Sequence, residues 1–336
     1  MLSKTFPSVT QHLKLFISRE HPSIDLTFKQ KGNYIYCIYS DAIYYQAILA
    51  ETANVNDYNL VVSYTDISTL MTANDPINLE LYDNYVLLTN NTLEIVLPQS
   101  FNSIAEVMHF DLSKYNYTEV QDKQLCYKQL KSFLHTNTLF SLYHKEWSYD
   151  VKNSVILLKT PSIWVQGRCT GLGLTLTADI SLLRLLCQLQ PQTFYTDSET
   201  LVMTDSVYTC AVPINSTPTD DDNTLTSQLE SMQSTDPIST KTLTSLIAAC
   251  AYSKQTVCDI TVYKNSIQLT LDNLTSLKIH TKVDATLTET LGSCKVPTDL
   301  LVVLFKLVCV DTWFQALITK GRLCLRTPNL IILICV

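Results

Sequence analysis

Three stretches of the chain repeat one another, and a chain built from a repeated unit is expected to fold as a series of like domains. They are "TDISTLMTANDPINLELYDNYVLLTNNTLEIVLP" from Thr65, "ADISLLRLLCQLQPQTFYTDSETLVMTDSVYTCAVP" from Ala178 and "TDLLVVLFKLVCVDTWFQALITKGRLCLRTPNLIILIC" from Thr298. The shared aspartates, Asp66, Asp179 and Asp299, are 113 and 120 residues apart, so three near-equal units fill the 336 residues. Each stretch reads as a polar Thr/Asp start suited to capping, an amphipathic helix, a strand, a tight turn and two more strands. The turns fall at Asp83-Asn84, Asp197-Ser198 and Lys320-Gly321.

The sequence before each stretch follows a second, weaker grammar of a helix and then hairpins. "VTQHLKLFISR" precedes strands that turn at Lys31-Gly32-Asn33 and Ser40-Asp41. "KQLCYKQLKSFL" precedes "SVILLKTPSIWVQGR", and "KTLTSLIAACAYSK" precedes strands that turn at Asn265 and Asp272-Asn273. Each unit is therefore a doubled helix-plus-strands element. Helices are expected over 8–19, 66–73, 123–134, 178–189, 240–254 and 298–309. The polar linkers "PQSFNSIAE" and "INSTPTDDDNTLTSQLESMQSTDPIST" divide the chain into 1–104, 105–218 and 219–336. The fold class is α+β, with two helices on antiparallel sheets in each unit.

Composition narrows the chemistry. Only 6 glycines are present, and neither GxGxxG nor GxxxxGK[ST] occurs, which disfavours a nucleotide cradle. The N-terminus has no secretory pattern and no apolar run is long enough to span a membrane, so a soluble cytoplasmic protein is expected. The 11 cysteines are an odd number lying mostly in apolar runs such as "YIYCIY" and "RLLCQL", the usage of buried reduced thiols. No CxxC pair occurs, and no two of the 6 histidines have the i, i+4 spacing of a metal-binding helix, so neither metal nor cofactor is expected. Cys169 in "QGRCTGLG" has no histidine or acid beside it in sequence and reads as a strand-end cysteine, so no catalytic residue is assigned. The tyrosines of "NYIYCIYSDAIYY" read as sheet packing.

The threefold helix, strand, turn, strand, strand pattern with its Thr/Asp start, together with the unit size and the elements before each stretch, resembles the DNA sliding clamps. The similarity is to the three-domain bacterial DNA polymerase III beta type, in a bacteriophage version, and covers the whole chain. It implies a closed ring of six such domains made by a head-to-tail homodimer, with helices lining the hole and sheets forming the wall. Double-stranded DNA, held without sequence preference, the DNA polymerase and the clamp loader are the implied partners. The family also docks partner peptides in a groove formed by the connecting strand and the C-terminus. The matching positions here are Val212, Pro213, Ile214, Ile334, Cys335 and Val336. "IILICV" is more uniformly apolar than the usual bacterial ending.

Such a protein needs positive charge only where phosphates pass. The formal net charge is -7, from 31 acidic and 24 basic side chains. Yet the six expected helices hold Lys14, Arg19, Lys123, Lys128, Lys131, Arg184, Lys241, Lys254 and Lys306 against only Asp66, Asp179 and Asp299, all three at helix starts. These nine bases are the expected DNA-binding residues of a non-catalytic processivity factor. The other readings of the sequence are a viral structural or interaction protein of repeated β-rich domains, and an enzyme whose site assembles from dispersed residues.

Overall fold

Turn chemistry sets the first hairpin. In the computed structural model, Gly32 takes a φ of +59°, the left-handed backbone that a tight turn asks of glycine, between β1 (Asp25–Lys31) and β2 (Tyr34–Ser40). The structure describes residues 6–16, 24–51, 59–65, 78–89, 94–98, 105–140, 149–152, 155–159, 162–214, 229–252, 256–272, 275–280 and 289–335. After the turn at Ser40-Asp41 comes β3 (Tyr44–Glu51), and β4 (Asn59–Ser63) returns to pair with β1. The order 4-1-2-3 is a Greek key.

This motif occurs three times. β9 (Tyr149–Lys152), β10 (Val155–Lys159) and β11 (Ile163–Arg168) run consecutively, and β12 (Leu176–Ala178) returns to β9. β18 (Val257–Tyr263), β19 (Ser266–Asp272) and β20 (Thr275–His280) do the same, and β21 (Thr290–Pro297) returns to β18. Alternating with the Greek keys are three antiparallel meanders. The first is β5 (Asn78–Leu81), β6 (Tyr85–Thr89) and β7 (Glu94–Pro98). The second is β13 (Thr193–Thr196), β14 (Thr200–Thr204) and β15 (Tyr208–Pro213). The third is β22 (Trp313–Thr319), β23 (Arg322–Arg326) and β24 (Leu330–Cys335).

Each of the first two Greek keys joins a meander far away in sequence. β3 pairs with β15, with Cys210 opposite Tyr45, which makes an eight-stranded sheet ending on β8 (Asn116–Glu119). β11 pairs with β24, with Val165 opposite Ile332, which makes a nine-stranded sheet whose last strand on this path is β16 (Gln233–Ser234). The third Greek key and the first meander remain separate sheets of four and three strands.

Chain packing divides the molecule into two compact units, Met1–Val120 with Leu185–Ser216, and Gln121–Arg184 with Thr217–Val336. The first unit contains the eight-stranded and three-stranded sheets. Phe28, Ile38, Tyr45 and Phe194 are fully buried there; Tyr44 and Tyr45 of β3 serve the core, whereas Tyr36 and Tyr39 of β2 are half-buried and Tyr34 is exposed. The second unit contains the nine-stranded and four-stranded sheets, with Phe305 and Phe314 fully buried.

The helices depart from expectation mainly at their ends. α1 (Phe6–Leu13) starts earlier than 8 because Pro7 is tolerated in a first turn whose N–H groups have no partner. It stops at Leu13 with two short turns, Leu15 N–H to His12 O and Phe16 N–H to Leu13 O. The helix expected over 66–73 lies outside the described residues. α2 (Lys123–Phe140) outruns its expected end because "HTNTLF" contains no glycine or proline to stop it. α3 is Ile180–Leu189, since Ala178 still belongs to β12. A 3-10 turn, Thr240–Thr242, precedes α4 (Leu243–Tyr252), and α5 is Thr298–Val308.

Capping divides the repeated aspartates. Asp179 Oδ1 accepts the N–H of Leu182 at 2.7 Å, and Asp122 does the same for Leu125 at 3.0 Å at the start of α2. Asp299 makes no such bond, because Pro297 holds the cap position and Asp299 already sits inside the first turn. There it acts only through the helix dipole.

Candidate nucleic-acid interface

An amphipathic helix on a sheet leaves one stripe to solvent, and here the stripes carry the bases. α2 buries Cys126, Tyr127, Leu130 and Phe133 and turns Gln124, Lys128 and Lys131 outward. α3 buries Leu183, Leu186 and Cys187 and exposes Ser181, Arg184 and Gln188. α5 buries Leu301, Leu304, Phe305 and Val308 and exposes Asp299 and Lys306. Lys241 is exposed in the 3-10 turn before α4, and Lys14 is exposed just beyond α1. Lys123, the first residue of α2, is half-buried. Arg19 and Lys254 lie outside the described residues.

Some bases away from these stripes have an acid partner, whereas Arg168, Arg322 and Arg326 on the strands have no ion pair among the described residues. Lys29 of β1 is paired with Glu106, Lys295 of β21 lies 3.9 Å from Asp259, and Lys114 lies 3.5 Å from Asp111. Lys14, Lys128, Lys131, Arg184, Lys241 and Lys306 have no ion pair among the described residues. Unneutralised cations on helix stripes are what a polyanion can use, because phosphate contact replaces condensed counterions.

In the second unit α2 seats tightly on β11. A Cβ on Gly167 would lie 2.2 Å from the Phe133 ring, so only glycine admits that ring. Beside this contact is a cavity of about 290 Å3, lined by Leu125, Lys128, Phe133, Arg168, Leu307 and Val310 among others. Arg168 is exposed and brings a second cation to the cavity next to Lys128. Sequence reading missed it because it belongs to a strand end; the polar step after the "SIWVQG" alternation was the available signal.

His12 of α1 is not a further cation at neutral pH. Its Nδ1 is 2.9 Å from the Tyr45 hydroxyl, and its ring stands edge-on to Tyr45 and Tyr208. Burial pulls its pKa down to about 4, against a smaller opposing effect of Asp205.

The expected partner positions fall in both units. In the first unit Val212 is buried, Pro213 exposed and Ile214 half-buried. In the second, Ile334 is opposite Ile163 and Ile332 opposite Val165, so both isoleucines share the helix side with Gly167 and are buried. Cys335 is exposed, and Val336 lies outside the described residues. By alternation the opposite face of the same sheet carries Ile331, Leu333 and Trp164. There Leu157, Trp164, Leu229 and Ile331, all partly buried, pack on Met232, Leu317, Cys324 and Leu333. This patch was not legible in sequence, because only the β11 to β24 pairing assembles it.

Among the described residues no group of three or more His, Cys, Asp or Glu is placed to hold a metal ion, and no helix is long and apolar enough to cross a membrane. The described cysteines include eight buried ones, two half-buried and the exposed Cys335.

Greek keys and meanders alternating under helices, with bases on the outward stripes, define the architecture of a DNA sliding clamp. The fold is that of the bacterial DNA polymerase III beta clamp over the full chain. No protein-family model and no curated protein matches the sequence. Among solved structures, the Helicobacter pylori beta clamp in complex with carprofen is similar with a TM-score of 0.75 at 11% identity, covering 100% of this chain and 98% of that one. The H. pylori beta clamp bound to a DNA ligase peptide gives 0.69 at 13% identity, covering 99% and 97%. The DNA polymerase III beta subunit of Thermotoga maritima gives 0.68 at 9% identity, covering 98% and 96%. At these identities the likeness is one of fold.

Proposed function

We propose that this protein is a DNA polymerase processivity factor, a non-catalytic sliding clamp that encircles duplex DNA in the cytoplasm and tethers the polymerase after a clamp loader places it there. The observation that carries the reading is that, in an acidic chain, the outward helix stripes carry bases with no acid partner among the described residues. The proposed DNA contacts are Lys128, Lys131, Arg184, Lys241 and Lys306, with Lys14, Arg19, Lys123 and Lys254 as further candidates. The three domains remain 1–104, 105–218 and 219–336, each a Greek key followed by a meander. The neighbours are bacterial proteins, so they lend nothing to a bacteriophage version.

Sheet pairing supports a head-to-tail homodimer. The first Greek key joins the second meander through β3 and β15, and the second joins the third meander through β11 and β24. By the same rule the third Greek key would offer β20, and the first meander β7, to strands of another copy. Among the described residues, β20 pairs only with β19 and β7 only with β6. Two copies would satisfy both of these edges and close the ring.

For protein partners, one solved neighbour is a clamp bound to a DNA ligase peptide. We assign an apolar peptide of the polymerase or loader to the patch of Leu157, Trp164, Leu229 and Ile331, with Cys335 at its rim. Ile334 supports that face from the helix side, and Val212, Pro213 and Ile214 remain candidates in the other unit.

The test of DNA encirclement is retention. The triple variant Lys128→Glu, Lys131→Glu, Arg184→Glu is expected to fold normally, because exposed helix positions rarely cost much stability. Its salt dependence of DNA binding should flatten by about 3 in logarithmic slope, at about 0.9 per phosphate contact. The parent should stay on circular duplex and slide off the same DNA once linearised. Equal retention of parent and variant would remove these residues from the interface.

A further inference from the structure

Two thiols in the second unit are placed for chemistry that a clamp does not need. Cys126 lies in α2, four residues after its capping Asp122, and Cys169 directly follows β11. Their sulfurs are 3.6 Å apart, and the Cys169 thiol also approaches the Cys126 carbonyl oxygen at 3.7 Å. Both side chains are fully buried. A disulfide needs about 2.05 Å, so the sulfurs must close by about 1.5 Å.

The surroundings distinguish this pair from the other cysteines. Burial pushes the thiols of Cys37, Cys258 and Cys324 up to about 12 and that of Cys294 to about 11. Cys126 shifts the other way, chiefly because of its hydrogen bond with the Cys169 thiol, which outweighs the opposing effects of burial and of the Asp122 charge. Its place near the start of a helix adds the dipole in the same sense. Leu125 and Arg168, the immediate neighbours of the two cysteines, both line the 290 Å3 cavity, which has room for a molecule as small as hydrogen peroxide, while the cysteines themselves are not among its lining residues.

We propose that Cys126 and Cys169 form a hydroperoxide-reactive dithiol site that closes to a disulfide and ties α2 to the end of β11. The Cys126 thiolate attacks one oxygen of the hydroperoxide. An S–O bond forms, the O–O bond breaks, and the departing oxygen leaves as water, or as an alcohol from an alkyl hydroperoxide, after taking up a proton. Cys169 then attacks the sulfenic sulfur; the S–S bond forms, the S–O bond breaks, and hydroxide leaves as water with the Cys169 proton. With hydrogen peroxide the two thiols lose two electrons and two protons, and the oxidant becomes two waters. A dithiol reductant reverses the bond by exchange. The inference is independent of the function proposed above.

The test uses the full-length protein carrying Cys335→Ser, so that the exposed thiol cannot link two chains. After treatment with a few equivalents of hydrogen peroxide at neutral pH, with circular dichroism confirming that the fold is retained, the protein is unfolded in alkylating agent and digested. The expected result is two titratable thiols fewer, one linked peptide joining Cys126 to Cys169, and recovery of both thiols with dithiothreitol. In Cys169→Ser the link should be lost and a dimedone adduct should collect on Cys126. Full alkylation of both cysteines, a link among Cys250, Cys258 and Cys294 instead, or overoxidation of Cys126 without a link would each overturn the proposal. Mapping in the Cys335→Ser protein decides the matter even if Cys169→Ser does not fold.

Discussion

The eight-stranded sheet of the first unit and the nine-stranded sheet of the second are built alike, Greek key beside meander, but their faces away from the helices are treated differently. In the first unit the segment 105–115 covers that face: Ala105, Val107, Phe110, Leu112 and Tyr115 pack on Ile38, Tyr44, Val202 and Ala211. Polar contacts hold the cover down. The Tyr44 hydroxyl accepts the Met108 N–H at 2.8 Å and approaches Glu106 O at 3.1 Å, and Ala105 N–H reaches Thr27 Oγ1 at 3.0 Å. In the second unit the corresponding face has only Leu229 and Met232 over it among the described residues, and Trp164 stays partly exposed. One face is core, and the other leaves Trp164 partly exposed among the described residues.

Substitutions can break this comparison. Tyr44→Ala removes a buried ring and both of its bonds to the cover, and should cost about 3–5 kcal/mol, read as a large fall in Tm of the first unit. A fall no larger than that of a surface variant would mean that the segment is not part of the core. The first unit should also be the acid-sensitive one. The folded pKa of His12 is about 4, below the roughly 6.5 of an unfolded chain, so the unfolded state binds the extra proton between those values. Stability is then highest above pH 6.5 and falls, by up to about 3 kcal/mol, as pH drops towards 4. His12→Gln should flatten that slope in denaturant titrations across pH, and an unchanged slope would place the acid sensitivity elsewhere.

The smallest stability effect is expected in the second unit, where Trp164→Ala should cost under about 1.5 kcal/mol because its face is already partly open. If the patch docks a peptide, the same change should weaken a polymerase-derived peptide by about 2 kcal/mol, roughly 30-fold, as truncating a central aromatic anchor does. Unchanged affinity in a titration would move the docking surface off this sheet.

The repeat and most of its local grammar were legible because they rest on nearest-neighbour chemistry. Gly32 turns where Lys31-Gly32-Asn33 says it should, Asp179 caps α3, and Lys128 and Lys131 fall on the outward stripe that the spacing of Cys126, Leu130 and Phe133 leaves free. Asp299 looked like the same cap and is not, since the cap is decided by the backbone of the residue before the helix. What could not be read is long-range pairing. Nothing in "YYQAILAE" announces that β3 will meet β15, or in "IWVQGR" that β11 will meet β24. The Trp164 patch, Arg168 beside Lys128 and the Cys126–Cys169 contact all depend on such pairing or on helix seating, so sequence reading passed over them.

Those pairings also leave β7 and β20 as the two edges whose counterparts are filled, and the claim that the chain is half of a closed ring rests there. Light scattering at micromolar concentration tests it most directly. The account predicts a mass of twice the 38.0 kDa chain, reduced to that of one chain by whichever of Ile95→Pro and Val96→Pro removes an N–H pointing away from β6. A single-chain mass for the parent, or a mass that keeps growing with concentration, would contradict it.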